Sequence, residues 1–192
     1  MTTISAELLS KIKPVFHPAA SSDASSASVT IQKTIDSLHL IPHIEGGYFV
    51  ETDRDPLRIP NPFRSESLRE TTAAPSAKDD DSTRSASTSI FYLITPQSPM
   101  GAFHRNSGRT VHTLHRGRGR YVIIHADEVD SNLKKARIET FVVGHDISRG
   151  EKLQWIVEGG KYKASYLLPD DDDDEIPKSD GLLISEVGWF RY

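Results

Sequence analysis

The chain contains no cysteine, which removes disulfides, thiolate nucleophiles, iron–sulfur clusters and cysteine-ligated zinc together. It also lacks any apolar run near the roughly 20 residues that cross a bilayer. The N-terminal stretch MTTISAELLSKIKPVF has no continuous apolar centre of the secretory kind. A cytoplasmic protein without a membrane partner is therefore expected. Positive charge is not in excess: 23 Lys and Arg stand against 27 Asp and Glu, for a net charge of −4. Nucleic acid is not an expected partner, because its recognition needs a basic stripe. Hydrophobic residues are sparse at 36%, but the shortage is concentrated in a few polar stretches. What remains is long enough to bury one core.

The polar stretches divide the chain. Residues 1–28 are expected to be a flexible tail, because Pro18 to Ser28 (PAASSDASSAS) carries no apolar periodicity. Residues 29–192 form the expected single domain. A short helix should open it, with Ile31, Ile35 and Leu38 on one face and Ser28 or Thr30 as cap. It should stop near Ile41, since Pro42 pushes the residue before it out of helical geometry. Tyr48 to Asp53 then alternate as a strand. Residues 56–87, with four prolines and the run KDDDS, read as a long surface loop.

From Ser87 onward the pattern is β. Strands are expected at STSIFYLIT, GAFHR, TVHTL, GRYVIIHA, ARIETFVVG, KLQWIVE, KYKASYLL and GLLISEVG. No amphipathic helix interrupts them, which argues against a parallel βαβ sheet and for an antiparallel sandwich or barrel. RGRGR (116–120) reads as a tight hairpin turn rather than a phosphate loop, because no helix follows it. The acidic stretch 169–180 reads as a second charged hairpin loop.

Five phrases are specific in combination: PHIEGGYFVETDR (42–54), STSIFYLITPQSPMGAFHRN (87–106), RTVHTLHRGRGRYVII (109–124), EKLQWIVEGGKYKASYLL (151–168) and GLLISEV (181–187). Together they resemble a poorly characterised cupin family of unknown function, over about residues 29–187. The resemblance implies an all-β fold, a cupin double-stranded β-helix (jelly-roll barrel) of the RmlC type with a short N-terminal helix. It also implies a homodimer and a small-molecule pocket at one end of the barrel. In that family the ISEV strand continues into a further strand, whereas here it runs into GWFRY, so either a closing strand is missing and leaves a sheet edge exposed, or the barrel closes differently.

Many cupins hold a metal through histidines and a carboxylate. The matching positions here are poor ligands: Asn106 follows His104 where a second histidine is usual, and Lys163 stands near the usual last histidine. No cofactor is therefore expected, and a divalent metal is disfavoured; the fallback set is His104, His112 and Glu51. In RmlC-like epimerases a histidine near the place of His104 acts as a general base. His104 and Glu51 are thus the candidate catalytic pair, with another carboxylate as an alternative to Glu51. Arg54, Arg109, His112, Tyr162 and Lys163 are the candidate substrate-binding residues. His112 and His115 lie three apart on one strand and must face opposite ways; the resemblance favours His112 inside. The remaining histidines, His125 among them, read as surface residues. The resulting expectation is a metal-independent isomerase or epimerase of a sugar-like or anionic metabolite. Its alternatives are a non-catalytic metabolite-binding cupin and a metal-dependent enzyme.

Overall fold

The computed structural model describes residues 12–18, 28–63, 82–130, 135–171 and 177–189. Among the described residues one α-helix, α1 (Val29–Leu38), precedes twelve strands, and a 3-10 turn (Ile147–Arg149) lies between the ninth and tenth. They are β1 (Ile41–Pro42), β2 (Tyr48–Arg54), β3 (Arg58–Pro60), β4 (Thr83–Ser85), β5 (Ser87–Ile94) and β6 (Met100–Arg105). β7 (Arg109–Arg116), β8 (Gly119–Asp130), β9 (Lys135–Val143), β10 (Gln154–Val157), β11 (Tyr162–Leu167) and β12 (Leu182–Trp189) complete the set. Six strands form one antiparallel sheet in the order β1-β2-β5-β12-β7-β10, and four form a second in the order β6-β11-β8-β9. The architecture is the all-β jelly roll with one short helix.

The alternation seen in the sequence sets the faces. In β12, Leu182 and Ile184 are fully buried and stand beside Ile94 and Leu114 of the neighbouring strands in the core. Tyr121, Val143 and Leu167 of the second sheet fill the other half of the same core. Helix α1 buries Ile31, which is 1% exposed and lies near Gly181 and Leu93; burying such a side chain is worth about 1.5–3 kcal/mol. The helix ends two residues earlier than the proline rule alone requires. His39 adopts a left-handed conformation at φ 55° and its N–H and that of Leu40 close the last turn. Ser28 takes the N-cap position, but its hydroxyl donates to Asp180 instead of capping the helix.

Two local expectations are corrected. RGRGR does not join a hairpin, because β7 and β8 belong to different sheets. Gly117, at φ 80°, turns the chain from one sheet to the other against the Gly181 carbonyl, where a Cβ would collide. The acidic stretch likewise links β11 to β12 across the sheets rather than within a hairpin; residues 172–176 lie outside the described residues. β12 itself lies inside its sheet, pairing with β5 on one side and β7 on the other. The ends of the expected long loop pair as the small β3–β4 ribbon, and residues 64–81 lie outside the described ones. In the segment expected to be a tail, Phe16 packs against the core and the Ile12 carbonyl accepts a 2.5 Å hydrogen bond from the Tyr166 hydroxyl.

Candidate functional site inside the barrel

Lys163 marks the inner face of the smaller sheet. It lies on β11 opposite His104 of β6 and Ile123 of β8, so these side chains share one face. Lys163 is 1% exposed, and its ammonium crosses to the larger sheet. There it reaches Glu186 Oε2 at 2.7 Å, His112 Nε2 at 2.9 Å and Thr110 Oγ1 at 3.4 Å. His112 and Glu186 are cross-strand partners on β7 and β12, with Nε2 3.1 Å from Glu186 Oε1. His112 is fully buried. Its ring stacks on Trp155 at 5.2 Å and meets the edge of Tyr121 at 5.5 Å.

The electrostatics of this cluster follow from its dryness. Burial, and then the adjacent ammonium of Lys163, lower the pKa of His112, so the ring is held neutral. Burial alone would raise the pKa of Glu186. The adjacent ammonium of Lys163 more than offsets it and holds the carboxyl well below its usual range. Burial raises the pKa of Tyr121, and the negative charge of Glu186 adds to it.

A second histidine–glutamate pair lies nearer to solvent. His104 Nδ1 is 3.2 Å from Glu45 Oε2 and 3.1 Å from the Ala102 carbonyl. Both neighbours are acceptors, so Nδ1 carries the proton of the neutral ring and Nε2 the lone pair. The two side chains are 24% and 15% exposed. Glu45 arrives on the β1–β2 loop, which lies along β6: the Ala102 N–H donates to the Glu45 carbonyl at 2.6 Å. Gly46 permits that approach at φ 97°, since a Cβ there would strike the Met100 carbonyl. Tyr92 closes the gap between the two pairs. Its hydroxyl donates to the Gly46 carbonyl at 2.8 Å. Burial, with Glu186 and Glu45 both contributing, raises its pKa far enough that it stays a protonated donor.

The candidates named from the sequence separate into two groups. His104, His112 and Lys163 come together on the barrel interior. Glu51 does not join His104: it pairs with Arg54 on the exposed part of β2, with oxygens 2.9 and 2.5 Å from the guanidinium. The carboxylate beside His104 is Glu45. Arg109 Nε lies 3.3 Å from Glu158 Oε1, and Tyr162 lies under the Arg105 guanidinium at 5.6 Å. His115 faces outward against Phe91, as the parity argument requires. His125 is a correction, for it is buried rather than on the surface, with Glu128 at 3.2 Å and Glu139 at 3.1 Å. A groove of about 410 Å³ lies outside the barrel, between α1 and the strands beneath it, lined by Lys33, Thr34 and Arg116 among others.

Glu186 was missed by the sequence reading, although LLISEV holds a signal for it. Leu182, Ile184 and Glu186 share parity, so a strand whose leucine and isoleucine face the core must also aim its glutamate there. A strand residue of that kind needs a buried partner. The interior set as it stands does not fit a metal ion, because the point where His112 Nε2 and Glu186 converge is filled by the Lys163 ammonium, which would repel one. Among the described residues, the one group of three metal-type ligands is His125, Asp127 and Glu128. Its carboxylates already bond Lys161 and Arg137.

A jelly roll of two antiparallel sheets with its polar side chains directed inward is the cupin architecture. The profile of the Cupin superfamily (DUF985) matches residues 32–189, and the chain belongs to that family. It is 41% identical over 160 residues to an uncharacterized protein of Saccharomyces cerevisiae, covering 82% of this chain and 69% of the relative. A solved hypothetical protein from Leishmania major is similar at a TM-score of 0.60 and 26% identity, over 82% of this chain and 80% of that one. A solved protein from Shewanella oneidensis shares the fold at a TM-score of 0.56 and 19% identity, over 84% and 78% of the two chains.

Proposed function

We propose that this cupin is a metal-independent isomerase or epimerase that moves a proton on a sugar-like carbonyl compound, with His104 as the base. The observation that carries this reading is the placement of Glu45 at His104 Nδ1. A carboxylate and a carbonyl fix the proton on that nitrogen and aim the lone pair of Nε2 away from them. A histidine so oriented takes a proton from a C–H bond adjacent to a carbonyl, and the resulting enolate regains one on either face. Glu45 stabilises the imidazolium formed in between.

The charges favour a hydroxyl-bearing substrate over an anionic one. Three cations were candidates to hold an anion, and each has a carboxylate of its own: Lys163 has Glu186, Arg109 has Glu158 and Arg54 has Glu51.

The test is solvent-deuterium exchange, followed by proton NMR, of ketoses, aldoses and keto-deoxy sugars incubated with the protein in D₂O. Exchange at the carbon next to the carbonyl is expected for at least one class. It should fall about 10²–10⁴-fold in His104→Gln, fall in Glu45→Gln, and persist in Glu51→Gln. Binding of a sugar without exchange would replace this reading by the metabolite-binding one. Exchange that survives His104→Gln would overturn it.

A further inference from the structure

Two metal-type donors, His112 Nε2 and Glu186 Oε2, converge on one buried point with the Thr110 hydroxyl beside it. That point is occupied by an atom of the chain. We propose that the Lys163 ammonium is a tethered cation filling a cation site built by His112, Glu186 and Thr110, and that removing it opens the site to a free cation. This inference stands apart from the chemistry of His104, because it concerns what fills the centre of the barrel.

The distances fit an ammonium. Contacts of 2.7–2.9 Å are charge-assisted hydrogen bonds, whereas imidazole and carboxylate hold zinc at about 2.0–2.2 Å. Each of the three N–H bonds has an acceptor, so Lys163 is spent on its neighbours and has none to offer a substrate. His112 presents a lone pair to the ammonium as it would to a metal. Trp155 and Tyr121 pack against the ring and hold it there. An imidazole nitrogen and a carboxylate are borderline-to-hard donors, which suits zinc, manganese, cobalt or iron(II). A short alkylammonium ion is the second ligand class, since it restores the missing group itself.

The experiment uses the full chain with Lys163→Ala and Lys163→His, purified in chelator. Melting is then measured with zinc, cobalt or manganese, and separately with propylammonium or butylammonium. The wild type is expected to melt at one temperature throughout. Each variant is expected to melt lower and then gain about 5–10 °C at a hundredfold excess of metal over its Kd. One equivalent of metal should be bound, with tetrahedral cobalt absorption. The gain should vanish when Glu186→Gln or His112→Gln is added. Lys163→Ala should also respond to the alkylammonium ions. Stoichiometric metal on the wild type that is lost with Glu186→Gln would overturn the proposal. So would variants that bind no metal, or that stay unfolded in its presence.

Discussion

Two of the histidine–glutamate pairs in this barrel repay comparison because their separations are almost the same, 3.1 Å for His112–Glu186 and 3.2 Å for His104–Glu45. Their neighbours differ. The first pair is shut between Trp155, Tyr121 and the ammonium of Lys163, and His112 is fully buried. Among the described residues no lysine ammonium bonds the second, and its histidine is 24% exposed. The same two residue types therefore sit in opposite surroundings. In the dry pair the proton inventory is locked by a third charge, and the result is structural. In the wetter pair one imidazole nitrogen is committed and the other is available, which is the arrangement that proton transfer needs.

The comparison breaks most visibly at Glu186. Glu186→Gln leaves a buried ammonium without its counter-charge, and a loss of about 3–5 kcal/mol in unfolding free energy is expected by denaturant titration. The pH dependence carries the same signature. Glu186 and His112 both bind a proton less readily in the folded chain than unfolded, where their ordinary values are 4.5 and 6.5. As pH falls, the unfolded chain takes up these protons first, so stability falls with pH. The loss begins on the acid side of about 6.5 and continues below about 4.5. Glu186→Gln should remove the lower part of that slope; an unchanged acid limb would show that the pair is not what it reports. His104→Gln comes next, expected to slow exchange about 10²–10⁴-fold while melting stays within a few degrees of wild type. A large fall in melting would move His104 to the structural side of the comparison. The smallest effect is expected at Glu51→Ala, which breaks an exposed ion pair with Arg54 and should cost under about 1 kcal/mol. A larger cost, or loss of exchange, would return Glu51 to the site.

Much of this was legible in the chain. Eight strands from Ser87 onward were marked by alternation and turn residues, and the five phrases fixed the family. Parity placed His112 and His115 on opposite faces. Partner choice was less legible, because it depends on sheet assignment rather than on spacing. RGRGR and the acidic stretch look like hairpin turns in a sequence, yet each hands the chain from one sheet to the other. Glu51, or another carboxylate, was the expected partner of His104. The β1–β2 loop instead brings Glu45 alongside β6, a contact between residues about sixty apart that no local pattern encodes. Lys163 looked like a spare positive charge until the facing sheet supplied Glu186.

The most direct test of the division between the two pairs is a long-range proton–nitrogen NMR spectrum of the imidazole rings near neutral pH. The account predicts that neutral His104 carries its proton on Nδ1 with Nε2 pyridine-like, and that an added sugar ligand shifts the His104 resonances while leaving those of His112 in place. A neutral His104 protonated on Nε2, or a ligand that shifts His112 and spares His104, would contradict it.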